Sequence, residues 1–112
     1  MSLAGYRQSI ADALSTAPDV TGYPYRPTVP KPGDAWPRLT GMDLAGGLVF
    51  EKSWSVLVVL PQDERAASDW TDAHYEALVD ALLPVGFVDR IEPVLIEASG
   101  SNQYALQFTM RS

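Results

Sequence analysis

His74 is the single histidine of the chain. A general base needs an acid beside it and a nucleophile to activate. On a helical wheel His74 falls on the apolar side of its segment, near Ala77, Leu78 and Ala81, with no nucleophile in company. That pattern fits a core or interface histidine satisfied by one hydrogen bond better than it fits a catalytic base. Asp69, Asp72, Glu76 and Asp80 form a row of carboxylates. Hard divalent cations draw oxygens from a tight loop or from converging elements. A row along one helix spreads its carboxylates over several turns, so it reads as a solvated face or as a negatively charged surface shared between subunits. Gln62-Asp63-Glu64-Arg65 has no glycine, and its acids repel phosphate, so it reads as a solvated turn. Gly46-Gly47 is too short to cradle a phosphate. No Ser-His-Asp order, Walker pattern or dinucleotide fingerprint is present. The chain has no cysteine, which removes disulfides and thiolate metal sites. These residues point to no enzyme activity, no metal and no cofactor, and function is expected to lie on surfaces.

One segment mixes aromatics and cations among prolines. Six of the nine prolines lie between residues 18 and 37. Around them sit Tyr23, Tyr25, Arg26, Lys31, Trp36 and Arg38. Aromatic and arginine side chains dominate the energetics of protein interfaces. A proline-stiffened arm loses less entropy on docking. Residues 27–47 are therefore expected to form a long proline-rich arm or loop, with Tyr25, Arg26, Lys31, Trp36 and Arg38 as candidate protein contacts. The other reading folds this loop back on its own domain, with Trp36 filling a gap in the core.

The elements that must position these groups follow from periodicity. Trp54 to Leu60 is a hydrophobic run stopped by Pro61. Trp54, Val56, Val58 and Leu60 point one way, Leu57 and Val59 the other, as in a central strand covered on both faces. A helix is predicted from about Ser68 to Leu83, with Trp70, Ala73, Ala77, Leu78, Ala81 and Leu82 on one side and the acidic row on the other. Residues 2–17 predict a first helix, capped by Ser2 and ended by Pro18-Asp19. A short edge strand through Tyr23 and Tyr25 is predicted over Val20 to Arg26, an irregular stretch or short turn over 38–47, and a strand beginning at Leu48-Val49-Phe50 that either pairs with the central strand or runs on into it. Phe87 to Glu97 is a strand with a bulge or edge position at Pro93, and Ser99 to Asn102 a turn. Gln103 to Arg111 alternates most cleanly and should pair with the preceding strand as a hairpin. The fold class is α+β: one domain spanning 1–112, a mostly antiparallel sheet packed against two helices.

The formal charge is −6. Residues 1–47 hold four basic and four acidic side chains, and residues 48–112 hold four basic and ten acidic, so 4 − 10 supplies the whole −6. Duplex binding needs several phosphate contacts from Lys and Arg, so stable nucleic-acid binding is not expected. No run approaches the roughly 20 apolar residues of a membrane span, and the first residues lack a signal-peptide pattern, so a soluble protein kept in the cytoplasm is expected.

Gly33-Asp34-Ala35-Trp36-Pro37, then Trp54-Ser55-Val56-Leu57-Val58-Val59-Leu60-Pro61, Asp69-Trp70, Gly86-Phe87-Val88 and Tyr104-Ala105-Leu106-Gln107-Phe108 follow one another along the chain. In this order they resemble the small tail terminator proteins of long-tailed, non-contractile bacteriophages. The resemblance implies a hexameric ring of copies of the chain. The ring caps the tail tube, stops its polymerisation and offers a face to the head–tail connector protein. It implies a place at the tail–head junction of the virion, assembly in the host cytoplasm, and DNA that passes through the ring without stable binding. Asp69, Asp72, Glu76 and Asp80 are then candidates for the face that lines the lumen. A head–tail connector or neck protein is the alternative within this class, and a small-molecule-binding regulatory domain the alternative outside it.

Overall fold

Ser2 caps the first helix. Its hydroxyl accepts the Gly5 N–H at 3.0 Å, and α1 runs Leu3–Leu14 with Ile10, Ala11 and Leu14 turned inward. The computed structural model describes residues 2–45, 49–98 and 100–112. Met1, Gly46, Gly47, Leu48 and Ser99 lie outside the described residues, and with them the Gly46-Gly47 pair, the expected strand start at Leu48 and the first residue of the expected Ser99 turn. After α1 the chain reverses through Asp19, which takes a left-handed φ of 62°. The strand expected within Val20 to Arg26 is only β1, Thr21–Gly22, and it runs parallel to its neighbour.

The main correction concerns the arm. Residues 27–33 are irregular, but Asp34–Ala45 form a strand, β2, rather than an arm or an irregular stretch. β2 pairs antiparallel with β3, Val49–Val59, from Ala35 opposite Val58 out to Ala45 opposite Val49. Proline inside a ladder normally removes a bond, and that rule led to the expectation of a loop. Here the rule does not apply to Pro37. The Ala35 carbonyl accepts the Tyr23 N–H at 2.8 Å, so Ala35 faces β1. Pro37, two residues on, presents its nitrogen the same way, past the end of β1, where no partner strand needs a donor.

α2 covers Glu64–Leu82 and starts four residues earlier than periodicity indicated. Asp63 explains the difference. Its carboxylate accepts the Ala66 N–H at 3.0 Å, and Glu64 sits in the first turn, where the helix dipole favours an acid. Gln62-Asp63-Glu64-Arg65, a solvated turn by its residue types, is thus partly a helix cap. A 3-10 turn, Leu83–Val85, leads to β4, Phe87–Ala98, and β5, Ser101–Arg111. β4 and β5 form the expected antiparallel hairpin; the register shift lies between Val88 and Arg90 rather than at Pro93, and Pro93 is accommodated instead because β4 is an edge strand, the other of the two expectations.

The sheet order is β1-β2-β3-β5-β4. β3 is its middle strand, and the two-faced pattern of Trp54 to Leu60 is observed as read. Trp54, Val56, Val58 and Leu60 join Ile10, Leu14, Leu78, Leu82, Phe108 and Met110 in the main core under both helices. Each such side chain contributes about 1.5–3 kcal/mol relative to exposure. Leu57 and Val59 face the other way and pack with Trp36 against Tyr23, Val94 and Ile96. The segment after β1 crosses this second face. It is tied to β2 by the Tyr23 N–H and to β4 by the Arg26 guanidinium, which donates to the Glu97 carbonyl.

Beyond Ser53 the sheet narrows. β5 pairs with β3 only as far as Ser53 opposite Arg111, with Ser112 and Lys52 exchanging the last backbone bonds. The outer parts of β2 and β3 therefore pair only with each other, and the molecule measures 46 Å along its longest axis against 20 Å along its shortest. Among the described residues, no helix is long and apolar enough to cross a membrane.

Candidate functional site

Four of the five candidate contact residues converge. Tyr25, Arg26, Trp36 and Arg38 line an open cleft of about 660 Å³ that reaches from the second face of the sheet round β2 to Pro37, Leu39 and, from α1, Arg7. The floor of the cleft is the small apolar cluster of Trp36, Leu57, Val94 and Ile96. Its cations come from three elements. The Arg7 guanidinium lies 5.3 Å from the centre of the Tyr25 ring, the Arg26 guanidinium 5.8 Å from that of Trp36, and Arg38 projects exposed from β2. Cations over aromatic faces in this range are held by the ring quadrupole. Lys31 is not part of the cleft. Its backbone N–H donates to the Asp34 carboxylate at 2.9 Å, which shapes the turn into β2.

Trp36 is not the exposed anchor expected of an arm. It is 3% exposed and belongs to the packing of the second face. The reading that folds this segment back on its own domain is the one the structure bears out for Trp36. Tyr25, by contrast, is 60% exposed.

The acidic row stays in solvent. Asp69, Asp72, Glu76 and Asp80 are all exposed on α2, opposite the buried Ala67, Leu78 and Leu82. Tyr75 lies among them, and its hydroxyl donates to Glu76 at 3.0 Å. That bond, with the Glu76 charge, raises the phenol above its ordinary value, and partial desolvation and Asp72 add to it. Among the described residues, no three His, Asp or Glu side chains are grouped so as to hold a metal ion.

His74 is more firmly held than a single hydrogen bond would make it. Its ring stacks on Trp70 with centroids 4.0 Å apart and an interplanar angle of 14°. Nδ1 lies 2.7 Å from the Trp70 carbonyl and Nε2 3.1 Å from the Asp19 carboxylate. The imidazole thus ties α2 to the reversal after α1, and both nitrogens are occupied by acceptors.

A second set of surface residues was missed by periodicity. Met42, Leu44 and Phe50 are exposed on the projecting part of β2 and β3, and Leu83 and Phe87 are exposed beside its root. Leu44 stands opposite Phe50 and Met42 opposite Lys52, so all four share one face. That face is the helix side, because the Lys52 ammonium sits 4.1 Å from the centre of the Tyr6 ring. The signal that could have found them is a hairpin signal: Met42, Asp43 and Leu44 alternate, and a Gly-Gly pair precedes Phe50.

No family model matches the chain, and no curated protein is significantly similar to it.

Proposed function

We propose that this chain is a virion assembly protein of the tail terminator kind, a subunit of a ring that caps the tail tube and meets the head–tail connector. The order of short patterns from Gly33 to Phe108 suggests the family. The observation that carries the reading is the surface. A projecting hairpin exposes Met42, Leu44 and Phe50, and a separate arginine-rimmed cleft has its floor on the other face. Two different patches on one subunit are what a heterologous, ring-closing contact requires. Tail tube protein, connector protein and further copies of the chain are the proposed partners, with DNA passing through the ring and no enzymatic step. The acidic row on α2 is the proposed lumen face.

Solution mass tests this directly. The 12.2 kDa chain should assemble into a closed ring, alone at high concentration or on mixing with tail tubes, and tubes so capped should stop elongating. Tubes that keep growing in the presence of excess chain would remove the terminator assignment. Binding to portal-side proteins instead of tubes would favour the connector alternative. The cleft volume lies within the range of small-molecule sites, which keeps the regulatory-domain reading as the second one. A rise in melting temperature with one member of a metabolite panel would favour it.

A further inference from the structure

The two patches have complementary chemistry. The hairpin carries its apolar residues on one face and carboxylates on the other. Asp43 stands directly opposite Glu51, a like-charge pair that costs stability in an antiparallel ladder. Glu51 is relieved by Arg111 at 3.6 Å, whereas no cation lies within ion-pair reach of Asp43 among the described residues. The cleft has the opposite balance. Arg7, Arg26 and Arg38 line it against the single acid Glu97, and no carboxylate lies within ion-pair reach of Arg7 or Arg38 among the described residues. Its floor of Trp36, Leu57, Val94 and Ile96 is apolar.

A chain cannot fill its own cleft with its own hairpin. Leu44 lies six residues beyond Arg38 on the same strand, about 20 Å away at ~3.3 Å per residue. The apolar hairpin face also belongs to the helix side of the sheet, whereas the cleft floor of Trp36 and Leu57 lies on the opposite side. The occupant must come from another molecule. Resting on the ring reading, we infer that the β2–β3 hairpin of one copy docks into the arginine-rimmed cleft of the next. Met42, Leu44 and Phe50 settle on the apolar floor, and the rim arginines reach the Asp43 and Glu51 carboxylates. The contact is head-to-tail, so every added copy presents a fresh hairpin and a fresh cleft, and only ring closure ends the series.

Two variants test the pairing, both altering exposed positions so that the fold is retained. The hairpin variant is Leu44→Asp with Phe50→Asp, and the cleft variant is Tyr25→Glu with Arg38→Glu. Melting curves confirm that each is folded. Light-scattering mass should show each variant alone as a monomer under conditions where the wild-type chain assembles. An equimolar mixture should rise to twice the 12.2 kDa chain mass and stop, because one intact hairpin meets one intact cleft and nothing remains to extend the series. If both variants assemble like the wild-type chain, or if the mixture stays monomeric, the hairpin-to-cleft contact is wrong while the ring reading survives. A wild-type chain that stays monomeric at every concentration, with and without tail tubes, overturns both.

Discussion

Trp36 shows how a residue's neighbours can mislead about its place. Surrounded by prolines and cations, it reads as an exposed anchor, yet it lies between Leu57, Val59 and the partly buried Tyr23. Trp36→Ala should therefore destabilise the isolated chain by about 3–5 kcal/mol, the cost of emptying a large aromatic site in a packed cluster. Urea unfolding of the monomer measures it. An unchanged midpoint together with lost assembly would return Trp36 to the role of an interface anchor. His74 was legible in part. The helical wheel placed it inward, but its second partner, Asp19, lies 55 positions away in the chain, and no periodicity reports such a contact. Tyr25, Arg26 and Arg38 were legible as a group because aromatic and cationic residues were crowded in one stretch. Arg7 was not, because it reaches the same cleft from α1.

At the scale of elements, what one strand or helix shows by itself was readable. β3 betrayed its central position by apolar residues on both faces, and β5 its half-buried position by alternation. β2 was not readable, because its proline is harmless only where the neighbouring strand ends, and that is a property of the sheet. β1 was read too long for a related reason: its two residues are fixed by contact with α1, not by their own propensity. Gly22 packs so closely under α1 that a Cβ there would lie 2.0 Å from the Ala11 carbonyl oxygen. Its N–H also donates to the Ser15 hydroxyl at 2.9 Å. Gly22→Ala should push the two backbones apart and cost about 1–3 kcal/mol, as overpacking does. A calorimetric melt with undiminished stability would mean that the seam between α1 and β1 yields more easily than its geometry indicates.

For the whole molecule, charge is distributed in a way that elements alone do not explain. The cations Arg7, Arg26 and Arg38 gather at the cleft, while Asp69, Asp72, Glu76 and Asp80 line exposed α2. If α2 faces the lumen of the proposed ring, its carboxylates repel phosphate and let DNA pass without the contacts that would hold it. Changing Asp72, Glu76 and Asp80 to Lys shifts the formal charge by six, from −6 to 0. The three sites are solvent-exposed, so each change should alter folding stability by no more than about 0.5 kcal/mol. Ring mass should likewise stay the same, because the hairpin and the cleft are untouched. DNA should now stick. Each lysine that meets a phosphate adds about 0.9 to the slope of log affinity against log salt, so duplex binding should appear at low salt and fade steeply as salt rises. DNA delivery through particles built with the variant should fall in step. Rings that form normally and pass DNA as before would place α2 on the outside of the ring and leave the lumen to another face of the subunit.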